Sequence, residues 1–182
     1  MGSPRIKGNT DLLLDEALRG AQSQGVEIGK IVVDKLRISP CREYYGCLKD
    51  GNCVIKDDMD DIYPLLLDVD RVIVASPIFF YGLTSQIKAL IDRCQALWAR
   101  KYILKQELPD AKRKGAFIAV GATQGKQLFD GSRLTVKYFF QAIGVSYADE
   151  LLVRGVDKRG EIKEHPTALA EAFELGRKLV QE

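Results

Sequence analysis

The chain has 182 residues, with 27 basic and 25 acidic side chains, a formal net charge of +2 and 46% hydrophobic residues. At roughly 150 residues per domain this predicts one unit over residues 1–182, able to build a core without disulfide or metal staples. Its charge is too small for a disordered tail or for nucleic acid as the obvious partner, and no apolar run reaches the roughly 18 residues of a membrane span. Nor does a basic segment followed by an apolar stretch mark a signal peptide, so the expectation is a cytoplasmic protein with no membrane partner.

In chain order, Asn9 and Thr10 can cap a helix in which Leu12, Leu13, Leu14, Ala17 and Leu18 recur at nearly helical spacing, with Gly25 to end it. Residues 26–36 read as a strand and 38–56 as a loop holding Cys41, Cys47 and Cys53. Asp57 to Asp61 place negative charge at the start of a helix that ends near Val69. A strand at 71–75 is followed by a long amphipathic helix over 85–102, a basic link at 109–114 and a strand at 116–121. The pattern ends with a helix over 132–143 closed by Gly144, a strand at 147–153 and a terminal helix over 166–182. Valine- and isoleucine-rich strands alternating with helices predict an α/β fold with a parallel sheet covered on both faces.

The first strand of such a sheet is missing: only Met1 precedes the glycine-containing segment that begins at Gly2. A vacant slot beside Val72 to Val74 would leave unpaired backbone groups, so either an apolar strand lies upstream or another segment fills the slot.

Two loops carry chemistry. The segment from Gly2 to Thr10 sets hydroxyls, an amide and two cations beside a helix N-terminus, which suits a phosphate dianion. It lacks the Gly-Lys-Ser/Thr ending of a triphosphate loop, which points to a monophosphate. The segment from Ala75 to Thr84 lies at the carboxyl end of a predicted strand, where ligands bind in open α/β sheets. Its three consecutive aromatics would either cover a flat ring system or pack at a subunit interface.

These loops, in this order, resemble those of the flavodoxin-like FMN reductases and iron-sulfur flavoproteins. The resemblance implies a three-layer sandwich with FMN as cofactor, its phosphate held by Ser3, Arg5, Lys7, Asn9 and Thr10. It places Pro77, Ile78, Phe79, Phe80, Tyr81 and Gly82 along the isoalloxazine, with a third loop at Thr123, Gln124 and Gly125 before a helix over 134–142. The iron-sulfur flavoproteins have a further cysteine where this chain has Tyr44, so Cys41, Cys47 and Cys53 lack a fourth thiolate. The expectation is therefore FMN without a stoichiometric iron-sulfur cluster, and Cys94 reads as a small buried hydrophobe.

The function expected is hydride transfer from NADPH or NADH to FMN, with electrons passed to a quinone, free flavin, oxygen or a redox protein. The alternative is an iron-sulfur flavoprotein or a flavodoxin-type electron-transfer protein without its own substrate site. Arg100, Lys101, Lys105, Lys112, Arg113 and Lys114 form a basic stretch that could favour NADPH through its extra phosphate. His165 reads as a solvated loop residue, and no catalytic acid or base is assigned. Phe79, Phe80, Tyr81 and Trp98 offer more apolar area than one flavin covers, which predicts a homodimer or homotetramer.

Overall fold

The computed structural model describes residues 1–109 and 112–181; Asp110, Ala111 and Glu182, which belong to the expected basic link and terminal helix, lie outside the described residues. Three parallel strands, β1 (Arg71–Pro77), β2 (Lys114–Gly121) and β3 (Ser146–Arg154), form one sheet in the order β1-β2-β3. Helices α1 (Asn9–Gln22) and α7 (Ala168–Gln181) cover one face. On the other lie α3 (Met59–Asp68), α4 (Ser85–Arg93), α5 (Gln95–Tyr102) and α6 (Asp130–Ala142), with the four-residue α2 (Cys47–Asp50) in the cysteine loop.

β2 shows why the sheet is central. Ala116, Ile118 and Val120 are buried against α1 and α7, while Phe117 and Ala119 point into the opposite core with Val136, Phe139 and Phe140. Strict alternation with both sets buried is the mark of a strand sandwiched between two helical layers. This is the flavodoxin-like three-layer arrangement. Gly20 and Gly176 let α1 and α7 touch: a side chain on Gly176 would collide with the carbonyl of Ala17, and one on Gly20 with that of Phe173.

Two expectations need correction. Residues 26–36 do not form a strand; their end folds into a 3₁₀ turn over Val33–Lys35. The reason is the neighbour. A strand needs a ladder, and Met1 alone pairs here, its ammonium donating to Ile31 O at 2.6 Å and its carbonyl accepting from Val33 N at 3.0 Å. Nor does this segment fill the slot beside β1. Gly2 N donates to Ala75 O at 2.7 Å, and Val74 and Ala75 are buried, while Arg71, Val72 and Ile73 further back remain half-buried along an open edge. Finally, the long helix over 85–102 is two helices. The Arg93 carbonyl accepts the Tyr63 hydroxyl at 2.9 Å, and Leu97 N turns instead to Cys94 O at 2.9 Å, so the helix breaks at Cys94.

Candidate flavin site at the carboxyl end of the sheet

Four loops meet where the strands end. Residues 2–8 lead into α1, 78–84 join β1 to α4, 122–129 join β2 to α6, and 155–160 follow β3. The first two are joined by Thr84, whose buried hydroxyl donates to Gly2 O at 2.7 Å while its amide donates to Ser76 Oγ at 3.3 Å.

The segment at 2–8 turns tightly. Ser3 is buried and its Oγ accepts from Arg5 N at 3.2 Å, Gly8 N donates to Arg5 O at 3.1 Å, and Lys7 adopts a left-handed φ of 56°. Lys7 N donates to Asp11 Oδ2 at 2.7 Å, and the other oxygen of Asp11 pairs with Lys30 Nζ at 2.5 Å, which neutralises the carboxylate nearest the loop. No side chain caps α1, whose N-cap is Gly8. The free amides of its first turn, with the buried Thr10 and the exposed Arg5, fit a phosphate group. Asn9, expected at the phosphate, spends its side chain otherwise: Nδ2 donates to Lys158 O at 2.9 Å and Oδ1 accepts from Ile162 N at 3.2 Å. Its side chain thus ties the first loop to the fourth.

The aromatic loop is a two-residue hairpin. Phe79 and Gly82 exchange both backbone hydrogen bonds, at 3.0 and 2.9 Å, and between them Phe80 and Tyr81 sit at φ 49° and 61°. Two consecutive positive φ values define a type I′ turn, which Asn-Gly normally occupies. Bulky aromatics are strained there, and Phe80, at 104% relative exposure, recovers nothing by packing. Ile78 N donates to Val120 O at 2.9 Å, anchoring the turn to β2, and Pro77 ends β1.

The third loop touches the second. A side chain on Gly125 would collide with the Tyr81 hydroxyl, so the ring lies directly against that backbone. Arg154 donates to Gly125 O and Lys126 O, each at 3.3 Å, and stacks 4.8 Å from the centroid of Phe129, while Gln124 rests against Gly155. Thr123 and Gln124 are exposed beside them. The structure therefore brings all the expected flavin residues to one end of the sheet, and adds Thr84, Arg154, Lys158 and Arg159. The last three were missed. They lie at the end of β3 and in the polar segment after it, and the rule that ligands bind at strand carboxyl ends was the available signal.

The cysteine loop is held by arginines. Arg93, fully buried, donates to Asp57 Oδ2 at 2.6 Å, Asp57 Oδ1 at 3.1 Å, Ser39 O at 2.9 Å and Ile55 O at 3.1 Å, closing the neck of the loop. Arg100 holds its tip through Gly51 O at 2.9 Å and Asn52 Oδ1 at 2.8 Å. Among the described residues no three His, Cys, Asp or Glu side chains are grouped to hold a metal ion. Burial, with the neighbouring Cys53, pushes the Cys47 thiol up. Cys41, Cys47 and Cys53 are free thiols, three in a loop where a cluster takes four ligands. Burial pushes the Cys94 thiol up to about 12, as in an inert core cysteine.

The expected basic stretch does not form one face. Arg113 is buried and donates to Val69 O at 2.8 Å, Ile143 O at 2.7 Å and Leu66 O, satisfying carbonyls at the ends of α3 and α6. With Arg100 on the cysteine loop and Lys101 donating to Gln141 O at 2.7 Å, these three cations are committed to the fold.

With the loops in place, the comparisons become specific. The sequence profile of the NADPH-dependent FMN reductases matches residues 1–144. The chain belongs to that family. This FMN reductase family member is 43% identical over 101 residues to an iron-sulfur flavoprotein of Archaeoglobus fulgidus, over 56% of this chain and 51% of that protein. The chain spans about half the length of the archaeal iron-sulfur flavoproteins it matches. It is 29% identical over 181 residues to YwqN of Bacillus subtilis, named as a candidate NAD(P)H-dependent FMN-containing oxidoreductase, over 96% of this chain and 92% of that one. The solved structure of a Trp repressor binding protein from Bacillus subtilis superposes with a TM-score of 0.66 and 26% identity, over 96% of this chain and 95% of that one. No helix among the described residues is long and apolar enough to cross a membrane.

Proposed function

We propose that this protein is an FMN-dependent NAD(P)H oxidoreductase. One observation carries the reading: the uncapped N-terminus of α1 and the exposed aromatic turn at 79–82 stand at the same end of the sheet, joined through Thr84. A phosphate group and a planar ring are the two ends of FMN. Ser3, Arg5, Lys7, Thr10 and the first amides of α1 would hold the phosphate. The residues from Pro77 to Gly82 would border the ring on one side, with Thr123, Gln124 and Gly125 on another.

FMN supplies the hydride-accepting chemistry when bound. The protein's part is alignment and exclusion of water, so no side chain is assigned as acid or base. The electron donor is a reduced nicotinamide, and the acceptor a small molecule such as a quinone or free flavin, oxygen, or a redox protein. Free thiols at Cys41, Cys47, Cys53 and Cys94 suit a cytoplasmic location. Phe79, Phe80 and Tyr81 are exposed, as are Leu134 and Tyr138 on α6, an apolar set suited to cover by a second copy of the chain. Light scattering that finds only monomer at micromolar concentration would remove the oligomer.

Titration of the purified protein with FMN, followed by anaerobic mixing with NADPH, tests the function. Flavin bleaching within the mixing time, then reoxidation by a quinone through many turnovers, is the expected result. The similarity to iron-sulfur flavoproteins favours a second reading, an electron carrier without its own substrate site. Flavin that stays oxidised under NADPH and is reduced only by a protein donor would select it. A protein that takes up no FMN would refute both.

A further inference from the structure

We propose that Arg159, in the loop after β3, is a phosphate-binding residue that closes with Arg5 on the phosphomonoester dianion of the flavin nucleotide; this rests on the flavin reading above. Pro4, Arg5, Ile6 and Arg159 line an open cavity of about 390 Å³ beside the phosphate loop. Arg159 Nη2 donates to Ile6 O at 2.7 Å, which pins the guanidinium to the backbone of that loop and leaves its other donors for a ligand. Neither arginine has a carboxylate partner among the described residues, whereas Arg19, Arg93, Arg133 and Arg177 each do.

The loop that carries Arg159 is folded in advance. Glu161 Oε2 accepts from the amides of Asp157 and Lys158, both at 2.8 Å, and Gly160 takes a left-handed φ of 81°. Asn9 then fastens this loop to the start of α1 through Lys158 O and Ile162 N. Asp157 and Glu161 each lie two residues from Arg159; neither forms an ion pair with it among the described residues, and Glu161 Oε2 is turned to the backbone amides. Two unpaired guanidiniums at one cavity, beside the positive end of α1, select a doubly charged oxyanion, and a planar guanidinium can grip two of its oxygens at once. Arg159 also lies beyond residues 1–144, the span that the reductase-family profile covers.

Riboflavin, which shares the ring and side chain of FMN but lacks the phosphate, separates recognition from scaffolding. Fluorescence-quenching titrations of apoprotein with each flavin should give an Arg159→Ala variant whose Kd for FMN rises roughly tenfold or more while its Kd for riboflavin stays within about twofold of wild type. Arg159→Lys should recover part of the loss, and both variants should keep the wild-type circular dichroism spectrum. An unchanged FMN affinity overturns the proposal, and so does equal weakening for both flavins, which would mean that Arg159 only props Ile6. Loss of NADPH-over-NADH discrimination with an unchanged FMN-to-riboflavin ratio assigns the phosphate to the dinucleotide and also overturns it.

Inorganic phosphate distinguishes failure here from failure of the flavin reading. Wild-type protein that binds neither flavin but gains thermal stability from phosphate over chloride at equal ionic strength, with the gain lost in Arg159→Ala, refutes the flavin reading and keeps the anion site. No binding of either flavin and no stabilisation by phosphate overturns both.

Discussion

Replacing Phe80 with asparagine should make the apoprotein more stable and the flavin complex weaker. Phe80 is fully exposed and sits at φ 49° in a two-residue turn, so its ring buries nothing while its backbone occupies a region that L side chains other than asparagine and aspartate avoid. The left-handed conformation costs on the order of 1 kcal/mol for a residue of this kind. Asparagine tolerates it, and the hydrogen bonds between Phe79 and Gly82 that define the turn involve only backbone. With no packing to lose, relief of about 1 kcal/mol should raise the melting temperature of a chain this size by roughly 2–4 °C. Thermal unfolding of flavin-free protein followed by circular dichroism measures this, and FMN titration of the same samples measures what the ring contributes to binding. A melting temperature that stays level or falls would refute the strain argument. A rise accompanied by unchanged FMN affinity would show that Phe80 does not serve the flavin, and would direct attention to subunit contact.

Asp57→Ala should cost about 3–5 kcal/mol in urea unfolding, because it strands the fully buried Arg93 guanidinium and also removes the acceptor for the Ser39 and Met59 amides; a loss under 1 kcal/mol would mean that the ion pair does not hold the loop. Burial pushes the Asp57 carboxyl up, but Arg93 and those two amides outweigh it and hold the group below the usual range. Its folded pKa is thus depressed, so the stability it confers is present above the unfolded value near 4 and is lost as pH falls through the folded value. Melting temperature against pH should fall below about pH 4 in wild type and be flatter in Asp57→Asn. Gly176→Ala should force α1 and α7 apart at Ala17, costing about 1–3 kcal/mol by the same urea assay, and an unaltered midpoint would show that the helices are not in close contact. Arg113→Met should lower stability by at least about 1 kcal/mol through three abandoned carbonyls yet leave the NADPH-to-NADH rate ratio unchanged; a changed ratio would return Arg113 to the dinucleotide.

The layers of the fold were legible because they are written locally. Val72 to Ala75 and Ala116 to Val120 are apolar runs of strand length, and α1, α6 and α7 repeat their apolar residues at helical spacing. The segments at 2–10 and 77–82 stood out as loops for the same reason, each being one short contiguous motif. What escaped notice depends on distance along the chain. Arg159 meets Ile6 across 153 residues and Arg113 meets Leu66 across 47, and a guanidinium seeking a backbone carbonyl leaves no periodic trace in sequence. Thus Arg113 read as part of a basic stretch suited to NADPH although it ties helix ends together. Residues 26–36 misled in the opposite way, since strand composition without a neighbouring strand cannot make a ladder.

Several choices that conflict with stability meet at one end of the sheet. An uncapped α1, two consecutive aromatics in left-handed backbone, an exposed Phe80 and two unpaired arginines all stand at the carboxyl end of the sheet. Elsewhere the chain pairs Arg93 with Asp57 and alternates the two buried faces of β2, although Glu43, Tyr45 and Lys105 also take left-handed backbone and no side chain caps α3, α4, α5 or α6. An anionic group would satisfy the amides and guanidiniums, and a flat apolar ring would cover the exposed aromatics of the turn. That convergence is independent of any family resemblance, and the Phe80 and Arg159 variants test its two ends separately.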